Sequence, residues 1–353
     1  MKKKVAVAMS GGVDSSVAAA LLQQAGYDVI GLTMRFNLST VAGSKASCGA
    51  QGIRDARRVA RALGIKHYVF DFGRQMQEKV IADFVRQYRA GLTPNPCVRC
   101  NEYLKFDGLL RKALGLGAQC LATGHYARIT RARGTYFLKK AGDVKKDQSY
   151  FLYRLTQEKL KRVLFPLGGY TKEQVRRLAD EFKLPVARKA ESQEICFVPG
   201  TYQEFIAGRL KPACKTGSIV DSAGKVLGQH QGIAFYTIGQ RDKLGIACGY
   251  PVYVSRIDPA GNTITVGKKE ELMRARFRVT DLVWPSGRLR TRKLLRVRIR
   301  HLSPESAAWV IPGARGAEVR FKEPRFAITP GQSAVFYAKD TVVGGGIIEK
   351  VLA

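Results

Sequence analysis

Acidic residues are scarce in this chain. Its 353 residues include 28 Asp and Glu against 60 Lys and Arg, for a formal net charge of +32. A mixed surface leaves a much smaller balance, so the excess points to a polyanionic partner, nucleic acid first among them. Long apolar runs are also missing. Hydrophobic residues make up 45% of the chain, yet no run reaches the ~18–20 residues of a membrane span. The basic start Met1-Lys2-Lys3-Lys4 leads into Val5 to Met9, too short for a signal-peptide core. A cytoplasmic protein with no membrane partner is the expectation. Cysteine pairing is thin as well. Seven cysteines in a chain of this length are not a disulfide framework. C-x-x-C occurs once, at Cys97 and Cys100, so a four-cysteine zinc site lacks its second half. There is no convincing internal repeat and no long low-complexity linker.

A last absence lies in the richest stretch of the chain. Ser10-Gly11-Gly12-Val13-Asp14-Ser15-Ser16 follows the apolar run Val5-Ala6-Val7-Ala8 and precedes a helical pattern from Val17 to Gln24. Strand, glycine turn and helix start aim backbone N–H groups and a positive dipole end at one point, which suits an anion. The common ATPase loop places a lysine after its glycines; here Asp14 stands instead. SGGVDSS resembles the pyrophosphatase-type phosphate loop of enzymes that split ATP into AMP and pyrophosphate.

Strand and helix alternate up to about residue 125. The pattern predicts strands at Tyr27 to Leu32, Lys66 to Asp71 and Cys120 to Ala122, with helices at Ile53 to Leu63 and Gln75 to Tyr88. This rhythm implies a parallel sheet covered on both faces, with ligands beyond the carboxyl ends of its strands. After Gly200, short alternating runs are broken by Gly and Pro: Gly217 to Val220, Ile233 to Thr237, Val252 to Ile257 and Thr263 to Val266. A second set is Leu294 to Arg300, Gly316 to Phe321, Ser333 to Tyr337 and Val342 to Glu349. Two small β modules are expected, divided near Lys268 to Ala275.

Three thiols invite chemistry. Cys97 and Cys100 lie in Thr93-Pro94-Asn95-Pro96-Cys97-Val98-Arg99-Cys100-Asn101, a loop stiffened by two prolines. Arg99 would favour a thiolate beside it. Half a zinc site, a redox dithiol, and a catalytic or cluster-binding pair are the open readings. Cys196, in Ser192-Gln193-Glu194-Ile195-Cys196-Phe197, taken alone reads as a buried structural cysteine. Cys48, Cys120, Cys214 and Cys248 have no motif around them. Farther on, Arg296, Arg298 and Arg300 alternate with Val297 and Ile299, after Arg288, Arg290, Arg292 and Lys293. On a strand that alternation sets three guanidinium groups on one face, a surface suited to phosphates and sensitive to salt.

The stretches MSGGVDSSV, GLTMRFN, GLTPNPCVRCNEYLKF, LATGHYARI, KKDQSYFLYRL, LPVARKAESQEICFVP, FYTIGQR, EPRFAITPGQSAVFY and GGGII run in order from Met9 to Ile348. Together they resemble the bacterial tRNA-specific 2-thiouridylases, which replace O2 of the wobble uridine with sulfur. The resemblance implies an α/β fold: a parallel-sheet, adenine nucleotide alpha hydrolase-like (PP-loop) domain, then two small β domains, the last a β-barrel. The expected division is 1–200, 201–272 and 273–353. It implies ATP with Mg²⁺ bound by Ala8, Met9, Ser10, Gly11, Gly12, Val13, Asp14 and Ser15, with Met34 and Gly124 near the adenosine. Cys100 corresponds to the family's nucleophile and Cys196 to its persulfide carrier. Asn95, Pro96 and Cys97 would hold the target base. His125, Lys146, Asp147, Gln148, Arg300, His301 and Gln332 would contact a tRNA bearing a wobble uridine. A sulfur-donor protein, such as a cysteine desulfurase or a sulfur-relay carrier, is the implied second partner. In this picture adenylation makes AMP the leaving group at C2, and depressed thiol pKa values are the expected activation.

Three departures from the family stand out. Many members carry aspartate where this chain has Cys97, which empties an acid–base position. With Cys97, Cys100 and Cys196 together, a [4Fe–4S] cluster on three thiolates is the alternative to a persulfide–disulfide route. The family's R-Y-R-Q reads Arg300-His301-Leu302-Ser303 here. The stretch Asn37 to Gly52 lacks the usual acidic residues and is read as a loop over the ATP. His125 alone would pass for a packing residue, and Lys146-Asp147-Gln148 for an ordinary turn and helix cap. The aromatic neighbours Tyr150 and Phe151 also suit a nucleotide drawn out of its stack. A small-molecule ligase with the same loop, or an RNA-binding protein with a decayed ATP site, are the rival readings.

Overall fold

The run Val5-Ala6-Val7 is closed to solvent on both faces, which sets strand β1 (Lys4–Ala8) in the middle of a sheet. It pairs in parallel with β2 (Asp28–Arg35) on one side and with β4 (Cys120–Thr123) on the other. Beyond β2 lies β3 (Lys66–Asp71), and beyond β4 the short strand Val163–Leu164. The order β3-β2-β1-β4 and then Val163–Leu164 reverses direction at β1, so the loop after β1 opens at a topological switch point. Helix α1 (Val13–Gln24) returns from that loop, its Val17 and Ala18 fully buried against the sheet. Helix α2 (Ala50–Ala62) covers a face with Ala56 and Val59 inward. This computed structural model describes residues 2–36, 49–191, 195–198, 200–210 and 214–352. The expected loop over the ATP therefore lies outside the described residues from 37 to 48, and its remainder, from Ala50 onward, is the start of α2.

Two compact units divide the chain. The first comprises Met1–Val80, Cys97–Pro199 and Asp340–Val342. Besides the sheet it holds an antiparallel hairpin, Arg128–Ala132 with Thr135–Lys139, tied to Asp340 through Arg128 and Lys139, both at 3.2 Å. The helix Lys172–Glu181, which the sequence reading passed over, starts with a capping box between Thr171 and Gln174.

The second unit comprises Ile81–Pro96, Gly200–Lys339 and Val343–Ala353. It holds a four-stranded sheet ordered Tyr253–Asp258, Thr263–Gly267, Gly217–Val220, Val226–His230, around Ile219, Val254, Ile264 and Val266. The expected strand at Ile233 is instead a single 3₁₀ turn, Ile233–Phe235. Gly232 before it has φ +131°, and a four-residue apolar run alone does not separate strand from turn. The unit also holds a closed six-stranded barrel. Met273–Val283, Gly316–Phe326, Ser306–Gly313, Lys293–Arg298, Ser333–Ala338 and Thr341–Leu352 follow one another, and the last pairs back to the first.

Candidate active site

The loop after β1 is built to face an anion. Gly12 precedes α1 in an extended conformation with no side chain capping the helix, which leaves first-turn N–H groups available to a ligand. The serines brace the loop from inside: Ser16 Oγ donates to the Gly12 carbonyl at 2.8 Å, and the Ser10 N–H donates to Ser15 Oγ at 3.2 Å. Gly11 sits at φ +75°, and a Cβ there would lie 2.2 Å from the Gly52 carbonyl oxygen of α2. Gly124, past the end of β4, approaches from the other side: a Cβ would stand 2.7 Å from the Ser15 nitrogen. Both positions are closed to any side chain. Ala8, Met9, Val13 and Met34 line the same end of the sheet, with Met9, Val13 and Met34 buried. Thr33 Oγ1 donates to the Met9 carbonyl at 2.7 Å, and since its one proton is spent there, the His67 Nε2 at 2.8 Å is the donor to Thr33.

Lysine, missing from the loop's own sequence, arrives from afar. Lys172 Nζ lies 2.7 Å from Asp14 Oδ1 and 2.8 Å from Glu191 Oε1. Lys189 Nζ lies 2.7 Å from Asp55 Oδ2 and donates to the Gly11 carbonyl at 2.9 Å. Tyr126 Oη also donates to Asp14 Oδ1, at 2.8 Å. Burial alone would raise the Glu191 carboxyl, but hydrogen bonds and charge from Lys146 and Lys172 hold it down at about 2. None of Lys172, Lys189, Asp55, Tyr126 or Glu191 was singled out from the sequence; the LPVARKAE and HY stretches contain three of them, without a spacing rule to mark them.

The thiol turn is different. Cys97 lies in the helical turn Pro96–Arg99, which runs into a π-helical stretch, Cys100–Leu109. Residues five apart on an α-helix are rotated by about 140°; the wider i→i+5 turn closes much of that gap. Lys105 is thereby the cation acting on both thiols, while Arg99 is taken by Glu102 at 2.9 Å. The depression expected of the Cys100 thiol is not found. Desolvation pushes Cys100 up, with Lys105 pulling back only in part. Cys97 reaches solvent at the residue level, but surrounding protein and then Cys100 still push it upward. Beside them Asn101, 5% exposed, donates to the Phe151 carbonyl at 3.1 Å, and its Oδ1 has no hydrogen-bond partner among the described residues.

Cys196 is described and half-buried, whereas Ser192, Gln193 and Glu194 of its motif lie outside the described residues. Cys97 and Cys100 are not joined by a disulfide. Among the described residues no three His, Cys, Asp or Glu side chains stand close enough together to hold a metal ion.

A family model described as the tRNA methyl transferase HUP domain matches residues 3–200. Models described as the tRNA methyl transferase PRC-barrel domain and the aminomethyltransferase beta-barrel domain match residues 203–268 and 274–348. The tRNA-specific 2-thiouridylase of Moorella thermoacetica is 49% identical over 98% of this chain and 99% of its own length. That of Geobacter metallireducens is 49% identical over 99% and 98%. This chain belongs to the tRNA-specific 2-thiouridylase family. The HUP fold of its first unit suits nucleotide binding.

Of the tRNA-facing residues expected from that family, several are engaged within the protein. Asp147 is 3% exposed and accepts from the Ala141 and Ser149 N–H groups, each at 3.1 Å. That is a turn-and-cap role. Gln148 Oε1 accepts from the Tyr126 N–H at 2.9 Å, and Lys146 pairs with Glu191 at 2.8 Å. His125, lowered far below its usual pKa by burial and then by Lys105, is a neutral ring between Thr123 Oγ1 at 2.7 Å and Lys105 Nζ at 3.4 Å.

Within the second unit, Gln332 Nε2 donates to the Thr93 carbonyl at 3.0 Å and to that of Pro94 at 3.3 Å. It thus anchors the segment leading to Asn95 and Pro96. Arg300 donates to the Ile238 and Ala327 carbonyls at 3.1 and 2.9 Å. Neighbouring His301 is half-buried. Arg298 pairs with Glu305 at 2.9 Å. The row of three arginines expected to track phosphates is thus reduced to Arg296, because its other two members are turned into the protein. Arg288, Arg290, Arg292 and Lys293 remain exposed. Among the described residues, no helix is long and apolar enough to cross a membrane.

Proposed function

We infer that this enzyme replaces O2 of a tRNA wobble uridine with sulfur, using ATP to activate that oxygen. The observation that carries the reading is the joining, in one unit, of an uncapped SGGVDSS loop at a sheet switch point with a helical turn bearing Cys97 and Cys100. Methyl transfer, the word in two of the family descriptions, needs neither feature. The reaction does. Hydroxide is too poor a leaving group at uracil C2. Attack of the C2 oxygen on the α-phosphorus expels pyrophosphate and makes AMP the group that departs later. The terminal sulfur of a persulfide on Cys196 adds to C2, and AMP leaves with the former carbonyl oxygen. The Cys100 thiolate then attacks the Cys196 sulfur. The old S–S bond breaks, its electron pair stays on the new thiouridine, and a Cys100–Cys196 disulfide forms. A thiol reductant and a sulfur-donor protein must reset the pair.

The loop's N–H groups orient the phosphates, while Lys105 is the cation at hand to stabilise a Cys100 thiolate. Mg²⁺ would accompany ATP, held mainly by phosphates as is usual for this ion, with Asp14 the one carboxylate of the loop itself. Residues 1–200, 201–272 and 273–353 are read as the catalytic, linking and tRNA-holding parts. The exposed basic run from Arg288 to Arg296 supports tRNA binding.

The test is to incubate the chain with ATP, Mg²⁺, tRNA and a persulfide donor. One pyrophosphate per 2-thiouridine, and none without tRNA, is expected. Pyrophosphate release independent of tRNA would instead mean a small-molecule ligase.

A further inference from the structure

Resting on the ATP reading, we propose that Lys172 and Lys189 are the cations that receive the pyrophosphate portion of the nucleoside triphosphate, and that Asp14, Glu191 and Asp55 hold them in place until it arrives. Four observations lead there. First, both ammonium groups sit on the loop itself: Lys172 at 2.7 Å from Asp14, Lys189 at 2.9 Å from the Gly11 carbonyl.

Second, Lys172 opens the helix Lys172–Glu181 and is only 9% exposed. A cation at a helix N-terminus opposes the dipole, and a buried one loses its hydration. Helix stability does not ask for a lysine there; an incoming anion does.

Third, the carboxylates have partners to spare. Asp14 also receives Tyr126 Oη at 2.8 Å, Glu191 also has Lys146 at 2.8 Å, and Asp55 also has Gln51 Nε2 at 2.9 Å and Arg58 at 3.7 Å. Each lysine can turn to a phosphate without leaving a buried carboxylate bare, the situation that makes most buried pairs costly to break.

Fourth, the uncapped first turn of α1 already favours negative charge at this point. The two lysines thus fill, from remote sequence, the place that the glycine-loop lysine fills in the common ATPase loop.

The experiment compares binding of ATP, AMP and inorganic pyrophosphate to the full chain by titration calorimetry, without tRNA. Lys172→Met and Lys189→Met should each weaken ATP and pyrophosphate by about 10-fold or more, the scale of one charge-assisted hydrogen bond, and leave AMP within about twofold. Lys172→Arg should recover most of the loss. Asp55→Asn supplies the readout a purely structural role cannot give. It removes the competitor for Lys189, so pyrophosphate should bind several-fold more tightly. Equal losses for ATP and AMP, or weaker pyrophosphate binding by Asp55→Asn, would overturn the assignment. Failure of the unaltered chain to bind ATP and AMP alike would instead remove the ATP reading on which it rests.

Discussion

Around the SGGVDSS loop, Asp14, Asp55 and Glu191 each lie within 2.8 Å of a lysine nitrogen. At the turn from Cys97 to Lys105, one lysine acts on two thiols, both thiols are raised, and a buried amide oxygen goes without a partner among the described residues. Both regions belong to the same unit. The first is electrostatically complete: its lysines are already in position, so binding a polyanion requires exchange of partners rather than recruitment. The second is left incomplete. An unsatisfied buried acceptor costs about 1–3 kcal/mol, and a raised thiol is a poor supply of thiolate. A π-helical stretch sits where that strain is held, as such stretches often do at functional sites. On the proposed function, phosphate chemistry would rest on a prepared site, while sulfur chemistry would wait for its substrate to complete the second one.

The largest effect should come from breaking the thiol side at its nucleophile. Cys100→Ser should lower thiolation by roughly a thousandfold or more, as loss of an acting nucleophile does, while ATP affinity stays as it was. Cys196→Ser should do the same. Cys97, at the surface, should tolerate serine with less than about tenfold loss. Thiouridine formation and ATP affinity, measured side by side on the three variants, check this. If Cys97→Ser is as damaging as Cys100→Ser, and anaerobically purified protein loses iron with it, the pair acts as cluster ligands and the disulfide route falls.

The next step down sharpens the role of Lys105. Lys105→Met should raise the Cys100 thiol further, because burial would then act unopposed. Below its pKa a thiol loses about tenfold in thiolate per unit of upward shift. Alkylation rates followed against pH should move to higher pH in the variant, with thiolation falling at neutral pH. An unmoved alkylation profile would show that Lys105 does not act on the thiols.

Much of the anion side was legible in the sequence because it is local. A strand, two glycines and a helix start within thirteen residues leave few conformations, and Lys66–Asp71 follows Gly64, which closes the helix before it. The lysines were not legible. Lys172 and Lys189 are separated from their loop partners by 158 and 178 residues, and no periodicity carries that distance. The π-helical turn was hidden for another reason: from Cys100 to Leu109 good helix formers such as Glu102, Leu104 and Lys105 are mixed with poor ones such as Asn101, Asp107 and Gly108, and propensity does not mark the wider winding. In the barrel, the alternation of Val297 and Ile299 with arginines is legible, and both are buried. The fate of those arginines is not, since Glu305 and the carbonyls of Ile238 and Ala327 that hold Arg298 and Arg300 come from other loops. The strand Met273–Val283 escaped because its first half alternates with arginine and looked like a boundary.

The smallest effect tests how firmly the prepared side is braced. His67 is held down at about 4, first by burial and then by the Arg57 charge. It is therefore neutral near pH 7 and donates from Nε2 to Thr33, which in turn holds the Met9 carbonyl at the mouth of the loop. The folded pKa lies below the ordinary value of 6.5. The unfolded chain then binds the proton more readily, so stability is fully present above pH 6.5 and is lost as pH falls toward 4. Discounted for partial exposure, the loss at pH 5 should be on the order of 1 kcal/mol. Urea unfolding at pH 7 and pH 5 reads this as a lower midpoint at pH 5, and His67→Gln, which keeps a donor but does not titrate, should narrow that difference. An unchanged difference in the glutamine variant would mean that other groups carry the acid sensitivity, and that the support behind Met9 is not set by the charge state of this ring.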